Sequence, residues 1–216
     1  TSLIVYNNNL SGDTSNLPQF LTLMAIYGIN TISGDTSGFP NTITNSLNLY
    51  GYNTVSGNVS DLPTSNTLQI TGYNTISGDT SGIPMSTRFE IDGSNTISGD
   101  VSNLPNTLVR CTILGDNTIS GNISGFATPI EIIVIQGDNT ISGDISGIPL
   151  SVTAILIVGF NTITGDVQYL PPNLQSLSLY NKGLAPYTVS IFGNITTLPS
   201  NLNIFNVVST GAFSGD

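Results

Sequence analysis

One hexapeptide recurs through this chain and limits what it can fold into. N-T-I-S-G-D begins at Asn30, Asn74, Asn95 and Asn139, and close variants begin at Asn53, Asn117 and Asn161. Weaker copies surround Gly12, Gly193 and Gly215. The aligned glycines are Gly12, Gly34, Gly57, Gly78, Gly99, Gly121, Gly143, Gly165, Gly193 and Gly215, with steps of 22, 23, 21, 21, 22, 22, 22, 28 and 22 residues. Self-similarity at this period marks a solenoid, because one unit cannot bury its apolar face alone and stacked neighbours can. Residues 1–216 therefore read as one continuous array of about ten units. An insertion near 181–192 accounts for the long step.

Each unit holds two stretches in which apolar and polar residues alternate, as in Ser46–Tyr50 and Thr96–Ser102. A two-residue period describes a half-buried strand, and no unit offers a helical period of useful length. Glycines and L-P pairs turn the corners. The expected fold is an all-β solenoid with two parallel β faces. Strands about 4.8 Å apart make a rod on the order of 50 Å long.

Leu170–Leu179, L-P-P-N-L-Q-S-L-S-L, resembles the bacterial leucine-rich-repeat unit L-P-x-x-L-x-x-L-x-L. The following N-T-I-S-G-D-I type segment resembles the N-x-L-S-G-x-I-P stretch of plant-type leucine-rich repeats. The resemblance implies a leucine-rich-repeat-like right-handed coil. It departs from the family in one place. Asn53 follows Leu49 by four positions, not three, so the turn after the first strand is expected to be wider. Such arrays are also similar to those in surface proteins and phage tail proteins associated with Bacteroidetes. That likeness implies recognition or adhesion and a place outside the cell, on a cell or virion surface. The chain starts at Thr1 and ends at Asp216 within a unit, which points to a piece of something longer.

Stacking turns each repeat position into a column. Asn30, Asn53, Asn74, Asn95, Asn117, Asn139 and Asn161 form a structural ladder, each amide bonding to turn backbone and to its neighbour. A second column follows glycine and runs from Asp13 and Asp35 through Asp79, Asp100, Asp144 and Asp166 to Asp216, with Asn at 58, 122 and 194. Two readings stay open for it: turn residues capping backbone N–H groups, or calcium held between coils by Asp79, Asp100, Asp144 and Asp166. The T-x-S pairs, from Thr31/Ser33 to Thr162/Thr164, point outward with Ile inward. This two-column hydroxyl surface resembles the ice-binding face of solenoid antifreeze proteins, or is simply a solvent-facing β surface.

The first strand carries the residues that differ from unit to unit, and a fixed scaffold with one varied face suits recognition. Ile132, Val134, Leu156 and Val158 form an apolar patch that suits a protein partner. Tyr27, Tyr50, Tyr52 and Tyr73 offer rings able to stack on sugars. Tyr187 lies in the insertion, where functional loops often occur. All these residues are candidate ligand contacts.

The missing residue types exclude much chemistry. With no His, neither a His-based nucleophile system nor a His metal site can form. The chain has three Lys and Arg residues against 13 Asp and Glu, a net charge of −10. That disfavours nucleic acid and anionic membrane surfaces. No apolar run is long enough to insert in a membrane. The single cysteine, Cys111, takes a slot that elsewhere holds an aliphatic and reads as a core residue. The expected function is non-catalytic recognition of a glycan or surface protein, without a cofactor unless calcium binds. The alternatives are a self-associating extracellular fibre and ice binding through the T-x-S columns.

Overall fold

A computed structural model describes residues 1–183 and 186–215. Asp216 and the middle of the insertion, 184–185, lie outside the described residues. The chain is a β-solenoid. Its first-strand segments, from Ser2–Asn8 and Leu23–Gly28 to Ser176–Asn181 and Ile204–Val207, pair in parallel in chain order. The T-I-S-G-D segments pair in parallel beside them as a second face. In the central coils one strand runs through both faces, as in Ser46–Asn58, Thr67–Asp79, Arg88–Asp100, Arg110–Asn122 and Ile132–Asp144.

Alternation sends every second residue inward. Leu47, Leu68, Phe89, Cys111 and Ile133 stack as one buried column, and Leu49, Ile70, Ile91, Ile113 and Ile135 as the next. The second face adds Val55, Ile76, Ile97, Ile119 and Ile141. These columns form one core running the length of the array. β-branched side chains pack well on such pleated surfaces.

The wider turn after the first strand is present. The pairing register slips between Leu49 and Asn53, between Ile70 and Asn74, and between Ile91 and Asn95. A glycine sits in each slip at positive φ, as in Gly93 (152°) and Gly115 (143°). A Cβ on Gly115 would lie 2.6 Å from the Asn95 nitrogen, so both the conformation and the close approach demand glycine.

The Asn column does more than line a turn. Asn95 Oδ1 accepts the Ile76 N–H of the preceding coil (3.0 Å), and its Nδ2 donates to the Leu114 carbonyl of the following coil (3.1 Å). Asn53, Asn74, Asn117 and Asn139 repeat this pattern. Asn30 likewise bridges Leu10 and Tyr50, and Asn161 accepts from Ile141. The expected bonds to turn backbone are present, and the expected bonds between neighbouring amides are corrected: Asn30, Asn53, Asn74, Asn95, Asn117 and Asn139 each staple the backbones of two flanking coils. The slip at glycine brings those groups, not the next amide, within reach.

The acidic column closes a corner. Asp13, Asp35, Asp79, Asp100, Asp144 and Asp166, and Asn58, Asn122 and Asn194, each cap a single turn of 3₁₀ helix by accepting the N–H two residues on. Leucines of the L-P pairs, such as Leu62 and Leu104, end these turns and are buried.

Candidate functional site

The outer face of the first sheet has three columns of outward side chains. In register, the first column runs Ser46, Thr67, Arg88, Arg110, Ile132, Ala154, Ser176. The second runs Asn48, Gln69, Glu90, Thr112, Val134, Leu156, Ser178. The third includes Tyr50 early and Gln136, Val158 and Tyr180 later. The face thus changes along the rod from aromatic, through charged, to aliphatic.

At the aromatic end Tyr6, Tyr27 and Tyr50 stack face to face, with centroids 5.1 Å apart and interplanar angles of 4° and 18°. Tyr52 and Tyr73 form a separate stacked pair at 5.8 Å, both well exposed at the corner that follows. The four candidate tyrosines therefore fall into two groups. Stacking also changes what Tyr27 offers. Both of its faces meet neighbouring rings, so its edge and hydroxyl are what face outward. A ligand cannot stack on it as the sequence suggested. The Tyr27 hydroxyl accepts from Asn48 Nδ2 (3.2 Å). The Asn48 Oδ1 is buried without a partner among the described residues.

The charged section is a small network. Glu90 accepts from Gln69 Nε2 (2.8 Å) and from an Arg88 terminal nitrogen (2.9 Å). Burial, and then the Glu90 charge, push the Tyr50 phenol above its ordinary pKa, while Arg88 opposes them. In the aliphatic section Ile132, Val134, Leu156 and Val158 do stand together. They are half-buried where the sequence suggested an open patch.

The other candidates lie elsewhere. Tyr187 packs against Phe160 (5.3 Å, tilted) beside a cavity of about 370 Å³ lined in part by Asn181, Thr188 and Val208. Asp79, Asp100, Asp144 and Asp166 act as caps, one per coil. No three acidic, Cys or His side chains come together among the described residues. The Ser15 and Ser81 hydroxyls and N–H groups hold Asp13 and Asp79 below the usual carboxylate range.

The second face departs from the expected hydroxyl lattice. Thr54 pairs with Ser33, not with its repeat equivalent Thr31, and Thr96 with Ser77. This two-residue displacement makes the columns oblique. Thr31, Thr54, Thr75, Thr96, Thr118 and Thr140 are exposed. The Ser hydroxyls instead donate to glycine carbonyls of the preceding coil, as Ser120 does to Gly99 (3.2 Å) and Ser77 to Gly57 (3.3 Å). Alternation alone could not reveal this, since it gives the side of the sheet and not the offset between coils.

Solved structures share this architecture, and two of them are plant proteins. One is the plant peptide hormone receptor RGFR1 in complex with RGF2, with a TM-score of 0.61 and 21% sequence identity over 97% of this chain and 35% of the receptor chain. The other is a plant ice-binding protein, with a TM-score of 0.57 and 19% identity over 94% of this chain and 71% of that one. The fold is a leucine-rich-repeat-like β-solenoid. At these identities the likeness is one of fold, and this chain spans well under half of the receptor's length. No family model and no curated protein matches the sequence. Among the described residues no helix is long and apolar enough to cross a membrane.

Proposed function

We propose that this protein is a non-catalytic recognition module that works outside the cell and binds a ligand across the outer face of its first sheet. One observation carries the reading. The Asn, glycine and core columns keep their chemistry from coil to coil, while the three outward columns of this sheet change from tyrosine to charge to aliphatic. Varying one face on a constant frame creates a chemically distinctive surface at no cost to the stacking. The similar plant receptor is itself a ligand-bound protein, and the fold accommodates that use. Binding of the full chain to cells and to glycan and peptide arrays, compared with Tyr50→Ser, Leu156→Ser and Val158→Ser variants, tests the reading. The variants are expected to keep the circular dichroism and lose the binding. Binding that survives all three sinks the assignment to this face.

The exposed threonine column supports a second reading, binding of ice by the second face. Thermal hysteresis that disappears in Thr96→Tyr and Thr118→Tyr would favour it, and zero hysteresis in the unmodified chain removes it. The spent Ser hydroxyls make this the weaker reading.

A further inference from the structure

Two of the three basic side chains of this acidic protein stand side by side on the proposed face. Arg88 and Arg110 are register partners in the first outward column. Neighbouring coils fill that column with Thr67 and Ile132. Arg88 reaches Glu90 through one terminal nitrogen, while its Nε is buried and has no partner among the described residues. Arg110 is half-buried, and among the described residues its guanidinium has no hydrogen bond or ion pair. Glu90 already accepts from both Gln69 and Arg88. Each guanidinium carries five N–H donors in a planar fork suited to a carboxylate, and a partly desolvated one without a partner is costly. The pair therefore has donor capacity for one more anion. In the next two coils the same face becomes aliphatic, with Ile132, Val134, Leu156 and Val158.

We propose that this junction binds an extended acidic–aliphatic peptide segment of a partner protein. Its Asp or Glu carboxylate sits on the Arg88–Arg110 pair, and an aliphatic side chain sits on Val134 and Leu156. This deepens the recognition reading and rests on it. Leu156 lies two coils beyond Arg110. At about 4.8 Å per coil that is roughly 10 Å, which an extended chain covers in about three residues at ~3.3 Å each. The recognised pattern is therefore an acidic residue with Leu, Ile or Val about three positions away. An acidic sugar chain fits less well. Past the carboxylate its hydroxyls would face Val134 and Leu156, which offer no hydrogen bonds.

The test is a heptapeptide array probed with the full chain, with a glycan array alongside. The bound peptides are expected to carry the acid and the aliphatic at that spacing. Arg110→Gln should weaken binding at least about tenfold, and Arg110→Lys, which keeps the charge and loses the fork, should fall between. Leu156→Ser should relax the aliphatic preference and keep the acidic one. Circular dichroism and melting show that each variant folds. Bound peptides without an acidic residue, no bound peptides, or Arg110-dependent binding of acidic glycans each overturn the ligand class and leave the face intact as a binding surface. Peptide binding unchanged by Arg110→Gln, Leu156→Ser and Tyr50→Ser overturns both.

Discussion

Replacing Asn95 with alanine should open the solenoid at its middle. Asn95 is fully buried, and its side chain satisfies Ile76 N–H on one coil and Leu114 C=O on the other. Alanine leaves both groups without that partner. Each orphaned buried group costs about 1–3 kcal/mol, so the loss is about 2–6 kcal/mol. For a chain of this size that corresponds to a melting midpoint roughly 5–20 °C lower. Repeat arrays lose stability locally and need not melt in one step, so amide exchange is the sharper readout. The Ile76 amide should exchange faster in Asn95→Ala, while Ile141, several coils away and capped by Asn161, should not. Asn95→Asp should make the stability depend on pH. At neutral pH the carboxylate still accepts from Ile76 and repels the Leu114 carbonyl, and burial raises its pKa above the unfolded value. Its stability relative to the parent should therefore recover on acidification, when the protonated group donates again, and fall as pH rises through the folded pKa. A midpoint shift equivalent to less than about 1 kcal/mol in Asn95→Ala, with unchanged Ile76 exchange, would refute the staple.

Three further outcomes follow from the same geometry. Gly115→Ala meets both a positive φ of 143° and the Asn95 backbone at 2.6 Å, and should cost about 2–5 kcal/mol in denaturant melts. The capping aspartates Asp13, Asp35, Asp79 and Asp100 have folded pKa values lowered by serine hydroxyls first and backbone N–H groups second. Their contribution is present above the unfolded value of about 3.9 and lost as pH falls through the folded values, so melting points should drop on that limb. A variant with all four changed to Asn, the cap already used at Asn58 and Asn122, should flatten it. Cys111 is fully buried, and burial pushes its thiol up to about 12. It should ignore thiol reagents in the folded protein and react on unfolding, and labelling at native pH without unfolding would contradict its place in the core.

Much of the architecture could be read from the chain because each unit carries its own instructions. The I-S-G-D alternation put Ile76, Ile97 and Ile119 inward, and the structure buries all three. The Asn-x-Ser and Asp-x-Ser pattern after glycine allowed capping, and that is the bond found at Asp79–Ser81. The wider turn before Asn53 was legible as one extra residue. The candidate face was legible too, as the strand whose outward residues vary. What the residues there present was not. Tyr27 looked like an open ring and proves covered on both faces.

The local period, the inward columns and the lack of His chemistry were settled by the residues alone, since a two-residue alternation fixes side-chain direction within one strand. The relations between coils were settled only by the tertiary structure. They include the two-residue displacement that pairs Thr54 with Ser33, the Asn amides that bridge flanking backbones, the closed tyrosine stack, and Arg110 without an acid among the described residues beside an aliphatic shelf. Each depends on the register of one coil against the next, and register is decided by packing and hydrogen bonds across neighbours, which no single unit contains.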